Sequence, residues 1–199
     1  MSHGEHISSQ FDSDLETIRS KVLQMGGLVE AQIRAAIEGF SSGNVASMDA
    51  VIAKDHQVNA YEVEIDQDCA HIIARRQPAA SDLRTILASA KTVTDLERIG
   101  DEASKIARMA RQIHGRGTTN APRVADVTYS AGRAISMLRK ALDAYARLDS
   151  TLAQQIIRED DTVDDEFRAV LRQLITFMME DPRTISTSLD IVWIAKAIE

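Results

Sequence analysis

Apolar side chains recur every three or four residues along most of this chain, the spacing of helices with one buried face. Phe11, Leu15, Ile18, Val22, Met25, Val29 and Ile33 form the first such stripe, with Ser8 or Ser9 as its N-cap. Gly26-Gly27 lies inside it. An interior glycine costs roughly 1 kcal/mol relative to alanine, so the pair predicts a close helix approach or a bend. Ser41-Ser42-Gly43-Asn44 ends the pattern. A second helix follows from Val45 to Arg76, stopped by Gln77-Pro78, and a third runs from Ala79 to His114. Gly115-Arg116-Gly117-Thr118-Thr119-Asn120 reads as a linker. Pro122 suits the first turn of a fourth helix striped by Val124, Val127, Ala131, Ala134, Leu138, Ala141 and Tyr145. Asp149-Ser150 caps a fifth, which lasts to Glu180, and Asp181-Pro182 opens a sixth.

Short connections make consecutive helices antiparallel, so the six form two sets of three. The proline at the second connection is Pro78 in one set and Pro182 in the other, 104 residues apart. This predicts an all-α protein of two repeated antiparallel three-helix bundles, residues 1–116 and 121–199. The last helix of the second copy has about half the length of its counterpart when the chain ends at Glu199. The expectation is a second bundle truncated in its final helix.

Composition narrows the picture. Aromatics are 4% of 199 residues, with 9 Gly and 3 Pro, too few β-formers and turn residues for an all-β fold. With 23 Lys and Arg against 30 Asp and Glu, the net charge of −7 argues against nucleic acid as a partner. The single cysteine, Cys69, excludes an intrachain disulfide or a cysteine zinc site and reads as a buried, inert thiol. No apolar run is long enough to span a membrane, and the polar start Met1-Ser2-His3-Gly4-Glu5-His6 does not read as a signal peptide. The expected compartment is the cytoplasm, with membrane contact only peripheral, through partners.

Acids interrupt the apolar seams. In the second helix, Met48, Val51, Val58, Ile65, Cys69 and Ile72 alternate with Asp55 and Glu62. In the third, Leu83, Leu87 and Ala90 lead into Thr94, Glu97 and Asp101. In the fifth, Leu152 and Ile156 meet Asp160 before Val163, Phe167 and Val170. Asp55 lies 23 residues before Pro78 and Asp101 lies 23 after it, while Asn59 and Glu97 are each 19 away. Asp55 should therefore face Asp101, and Asn59 should face Glu97. Asp164 lies 18 residues before Pro182 and Glu199 lies 17 after it. Converging carboxylates repel unless a proton or cation lies between them, and oxygen-only donor sets suit Mg²⁺, Mn²⁺ and iron. The competing reading is plain. Leu96, Ile99, Ala103, Ile106, Ala110 and Ile113 form a second stripe on the third helix, and if that face is the core, Glu97 and Asp101 are solvated. The basic run Arg98, Lys105, Arg108, Arg111 and Arg116 reads as a solvated face or a docking patch for an acidic partner.

Leu96-Glu97-Arg98-Ile99-Gly100-Asp101-Glu102-Ala103 resembles the signature of the PhoU family, as does Ala74-Arg75-Arg76-Gln77-Pro78-Ala79-Ala80-Ser81-Asp82-Leu83-Arg84. Met25-Gly26-Gly27 and Met178-Met179-Glu180-Asp181-Pro182-Arg183-Thr184 are similar to its first helix and second-repeat loop. The resemblance implies metal sites of the form E/D-x-x-x-D. Glu97 with Asp101 and Asp160 with Asp164 match that form, Asp55 with Asn59 matches with an amide, and Glu199 opens a last copy. The metal ions expected are Mg, Mn, Fe or Zn. The resemblance also implies a homodimeric, non-enzymatic negative regulator of the phosphate regulon, with two partners: the ATPase subunit of the phosphate ABC transporter and the sensor histidine kinase. A metal-dependent enzyme with a carboxylate-bridged centre and a purely structural helical scaffold are the alternatives.

Overall fold

The computed structural model describes residues 9–117 and 124–199. The Ser8 cap, His3, His6, residues Thr118–Asn120 and Pro122 lie outside the described residues. Among the described residues every regular element is helical: α1 (Ser9–Ser42), α2 (Val45–Arg76), α3 (Ala80–Gly115), α4 (Val124–Arg147), α5 (Ser150–Glu180) and α6 (Ile185–Ile198), with a 3₁₀ turn at Pro182–Thr184 before α6. None of these helices is long and apolar enough to cross a membrane.

Local chemistry sets the helix boundaries. Gly43 takes a left-handed φ of 75°, and Asn44 then caps α2, its Oδ1 accepting from the Ser47 amide at 3.1 Å. The His114 ring donates to the orphan Phe40 carbonyl at the end of α1, 2.8 Å away. Gln77, at φ 45°, closes α2 by donating its amide to the Ile73 carbonyl, and Pro78 prevents continuation. Asp149 accepts from the amides of Thr151 and Leu152 to start α5, and Asp181 caps the 3₁₀ turn through the Arg183 amide.

Side-chain pairs give the register. Arg76 reaches Asp14 and Lys21 reaches Glu64 and Asp68, so α1 and α2 are antiparallel. Arg111 with Asp49 and Ser104 with Asp55 make α2 and α3 antiparallel. Arg133 with Glu166 and Lys140 with Glu159 do the same for α4 and α5. α1, α2 and α3 pack together, α4, α5 and α6 pack together, and the two sets meet where α1 lies on α4 and α3 on α6. Met25, Phe40, Met48, Ile65, Ile86, Ile106 and Ile113 are fully buried in one continuous core that also takes in Leu174, Ile191 and Ile194. Burying each such side chain contributes about 1.5–3 kcal/mol.

The stripe on α3 that ends the competition is the second one. Leu96, Ala103, Ile106, Ala110 and Ile113 are buried, whereas Leu87 is half exposed and Leu83 and Ala90 lie at the rim. The glycine pair of α1 marks the close approach. A Cβ on Gly26 would stand 2.5 Å from Leu142 Cδ2 of α4, while Gly27 has open space around it. One turn on, Glu30 accepts from Arg139 at 2.6 Å and from Arg34 at 2.9 Å. The Ser89 and Tyr145 hydroxyls meet at 2.7 Å, and Arg116 pairs with the buried Asp190.

Two outcomes follow for this interface. Gly26→Val, whose added methyls cannot be accommodated by turning Leu142 alone, should destabilise the protein by about 1–3 kcal/mol, with Gly27→Ala neutral or mildly stabilising; chemical denaturation checks this. The Arg139 hydrogen bond, opposed by partial burial and assisted by Arg34, holds the Glu30 carboxyl below its ordinary range. A depressed carboxyl stabilises above its unfolded pKa and loses that contribution as pH falls through the folded value. The melting temperature of the native chain should therefore exceed that of Glu30→Gln at neutral pH, and the gap should close on acidification.

Candidate metal centre

Gly100 brings α2 and α3 together. A Cβ there would stand 3.1 Å from Val58 Cγ1, so the absence of a side chain lets Val58 sit directly on the α3 backbone. Asp55 lies one turn before Val58 and Glu62 one turn after it. Glu97 and Asp101 flank Gly100 on the facing helix. The i, i+7 spacing of Asp55 and Glu62 and the i, i+4 spacing of Glu97 and Asp101 put these acids on one side of the Val58–Gly100 contact.

Their charges act on each other. Partial burial raises the Glu97 carboxyl above its ordinary value, and the carboxylates of Asp101, Glu62 and Asp55 raise it further, against a small opposing effect of Arg98. Glu62 is raised by partial burial, then by Asp66 and Asp101. Asp55 reaches one turn further than Asp101, its Oδ1 accepting from the Ser104 hydroxyl at 2.8 Å. Asn59 is exposed on α2, and the α2 acids whose charges reach Glu97 are Glu62 and Asp55. Glu62 stood in the apolar seam of the sequence, whereas equal counting from Pro78 set Asn59 opposite Glu97.

The donor chemistry suits a hard cation: four carboxylates in one field, two of them held above their usual range, with no histidine or thiol among them. In the present rotamers, however, no three His, Cys, Asp or Glu side chains among the described residues stand close enough together to hold an ion. The backbones assemble the set, and side-chain rotation, including release of Asp55 from Ser104, would be needed to close it on a cation.

The acids of the second bundle are arranged differently. Asp164 is engaged by Arg168 at 3.3 Å. Asp160 and Glu199 both line a cleft of about 810 Å³ between the bundles, and Glu199, at the end of α6, pairs with Lys196. Apolar residues from all sides complete that cleft, among them Ile106, Leu138, Ile156 and Ile198.

Other candidates resolve simply. Cys69 is buried against the Ile86 carbonyl, and burial pushes its thiol up to about 11, leaving it protonated and unreactive at neutral pH. His56 is exposed on α2, within hydrogen-bond distance of the Ala53 carbonyl. Arg98 pairs with Asp95, and Lys105 pairs with Glu102.

Fold and site together define a class: an all-α repeat protein of two three-helix units, with acids facing one another across a helix hairpin. A model of the PhoU domain matches residues 22–110 and 130–199. The phosphate-specific transport system accessory protein PhoU homolog of Pseudomonas aeruginosa is 47% identical over 195 residues, covering 98% of this chain and 80% of that protein. The phosphate-specific transport system accessory protein PhoU of Escherichia coli (strain K12) is 44% identical over 195 residues, again 98% of this chain and 80% of that one. The crystal structure of PhoU from Pseudomonas aeruginosa superposes with a TM-score of 0.88 at 45% identity, covering 94% of this chain and 90% of that one. The phosphate transport system regulatory protein PhoU of Streptococcus pneumoniae gives 0.86 at 25% identity, covering 95% and 88%. The chain belongs to the PhoU domain family.

Removing the repulsion should be visible in the metal-free protein. Glu97→Gln combined with Asp101→Asn is expected to unfold at a urea midpoint equal to or above that of the metal-free parent, because the charges it deletes oppose one another in the fold. A clear loss of stability would mean that these carboxylates make favourable contacts of their own.

Proposed function

We propose that this protein is a regulatory adaptor of a phosphate transport system. In this reading it represses the phosphate regulon when phosphate is plentiful, acting in the cytoplasm as a homodimer between the ATPase subunit of the phosphate ABC transporter and the sensor histidine kinase. The observation that carries the reading is similarity over 98% of the chain to relatives named phosphate-specific transport system accessory proteins. The architecture suits it: long helices offer extended faces for partner proteins.

The α2–α3 acids are proposed as a cation site. Glu97, Asp101, Glu62 and Asp55 would supply oxygen ligands, and a bound ion would remove the mutual repulsion that raises Glu97 and Glu62. Mg²⁺ and Mn²⁺ fit an all-oxygen set best, with iron and zinc as competitors. Asp160, Asp164 and Glu199 would form a second, weaker site, since Arg168 and Lys196 already compensate two of them. Asn59 could join the first site only as a neutral oxygen donor.

The test combines cells and metal analysis. The tagged full chain, isolated from phosphate-replete cells, should bring down the transporter ATPase and the histidine kinase together; recovery of neither removes the adaptor role. Chelated protein reloaded with Mn²⁺ should take up ion in the native form. Glu97→Gln with Asp101→Asn should lower uptake in the first bundle at least tenfold. Unchanged stoichiometry in that variant would identify these residues as ordinary solvated acids.

A further inference from the structure

Hydroxyls in the first half of α3 share one habit. Thr85, Ser89, Thr92 and Thr94 each donate to the carbonyl four residues earlier, 2.9–3.4 Å away. Ser104, fully buried on the same helix, departs from it: its hydroxyl donates across the hairpin to Asp55 Oδ1 at 2.8 Å. A serine hydroxyl carries one proton and serves one acceptor at a time. Here the proton has two places to go, because the Gly100 carbonyl lies one turn back on α3, where a rotation about χ1 of Ser104 reaches it. Breaking the bond to Asp55 therefore leaves no buried donor unpaired.

The bond also fixes where Asp55 points. Ser104 stands three residues, about 4.5 Å of helix rise, beyond Asp101 on the side away from Glu97. Asp55 is thus drawn toward one end of the acidic set. The backbone beneath it is pinned from two sides. Val58, three residues on, rests against Gly100. The buried Gln32 of α1 donates to the Lys54 carbonyl at 3.2 Å. Asp55 itself is only half-buried, so its side chain can turn while its helix stays in place.

We propose, resting on the cation site described above, that Ser104 is a latch on that site: its hydroxyl holds Asp55 apart from Glu97 and Asp101, and Asp55 joins a divalent cation only when that bond breaks. Ser104 is a positioning residue that lowers affinity. With the latch closed, Glu97, Asp101 and Glu62 are the carboxylates offered to the ion; with it open, Asp55 adds a further anionic oxygen donor, which hard cations favour. In the ion-free chain the same bond shares the Asp55 charge with a buried hydroxyl and so eases the mutual repulsion of the set. The opposite role predicts the opposite sign: a hydroxyl that supports Asp55 from behind while its other oxygen binds the ion would raise affinity.

The test is Mn²⁺ titration of the chelated full chain, followed by calorimetry. Asp160→Asn and Asp164→Asn are present throughout, so that the first bundle alone is read. Ser104→Ala should lower Kd roughly tenfold, the worth of one hydrogen bond to a charged group. Asp55→Ala should weaken binding, and adding Ser104→Ala to it should change nothing, because the latch then has nothing to hold. Urea midpoints of the same four ion-free chains give a second readout: Ser104→Ala should lower the midpoint more with Asp55 present than with Asp55→Ala. Weaker or unchanged binding in Ser104→Ala overturns the latch, as does a gain in affinity that persists in Asp55→Ala, or midpoints that show no coupling between the two positions. The cation site is judged separately. Mn²⁺ uptake that Glu97→Gln with Asp101→Asn abolishes and Ser104→Ala leaves unchanged keeps the site and removes the latch. No uptake by any variant removes both.

Discussion

α3 must pack against three helices at once, and small side chains make this possible. Gly100, Ala103, Ser104, Ala107 and Ala110 are all buried, and they let α1, α2 and α6 approach one 36-residue rod closely. Larger side chains at those positions would hold at least one neighbour away, and protein interiors tolerate neither gaps nor overlap of that size. The rest of the molecule is arranged around this helix. α1 and α2 close the first bundle on it, and α6 brings the second bundle to its C-terminal half.

The acidic site is a by-product of that close approach. Because Val58 rests on Gly100, the turns on either side of the contact bring Asp55 and Glu62 near Glu97 and Asp101. A bulkier residue at position 100 would separate the helices, and the carboxylates would be independent solvated groups. The strain is electrostatic and modest, since these acids are partly exposed and water screens them. It is nonetheless directional. Anything that neutralises the set, a proton or a cation, favours the closed hairpin.

Between the bundles the contacts are of a different kind. Leu142 on Gly26 supplies apolar fit, but Glu30 with Arg139, Ser89 with Tyr145 and Arg116 with Asp190 are polar pairs with defined geometry. Such pairs add little net stability when partly exposed. Their effect is to select one orientation of the second bundle over others of similar apolar burial. That orientation leaves the α6 row of Ile185, Leu189 and Trp193 facing outward, and it forms the cleft that Asp160 and Glu199 share.

The helices themselves were legible in the sequence, because their punctuation is local. Asn44, Gln77-Pro78, Asp149 and Asp181-Pro182 act within a few residues of where they stand, and the observed ends of α2 and α5 coincide with those signals. Equal counting from Pro78 also placed Asp55 near the α3 acids, since an antiparallel hairpin has a fixed rise per residue. What the sequence left open was rotation about the helix axes. α3 carries two apolar stripes, and only its neighbours decide that Leu96, Ala103, Ile106, Ala110 and Ile113 go inside while Leu87 stays at the surface. The same rotation puts Glu62 within reach of Glu97. It also turns Trp193, as apolar as any core candidate, into the most exposed member of the α6 row. Periodicity names the faces of a helix; which face is buried depends on what the other helices bring against it.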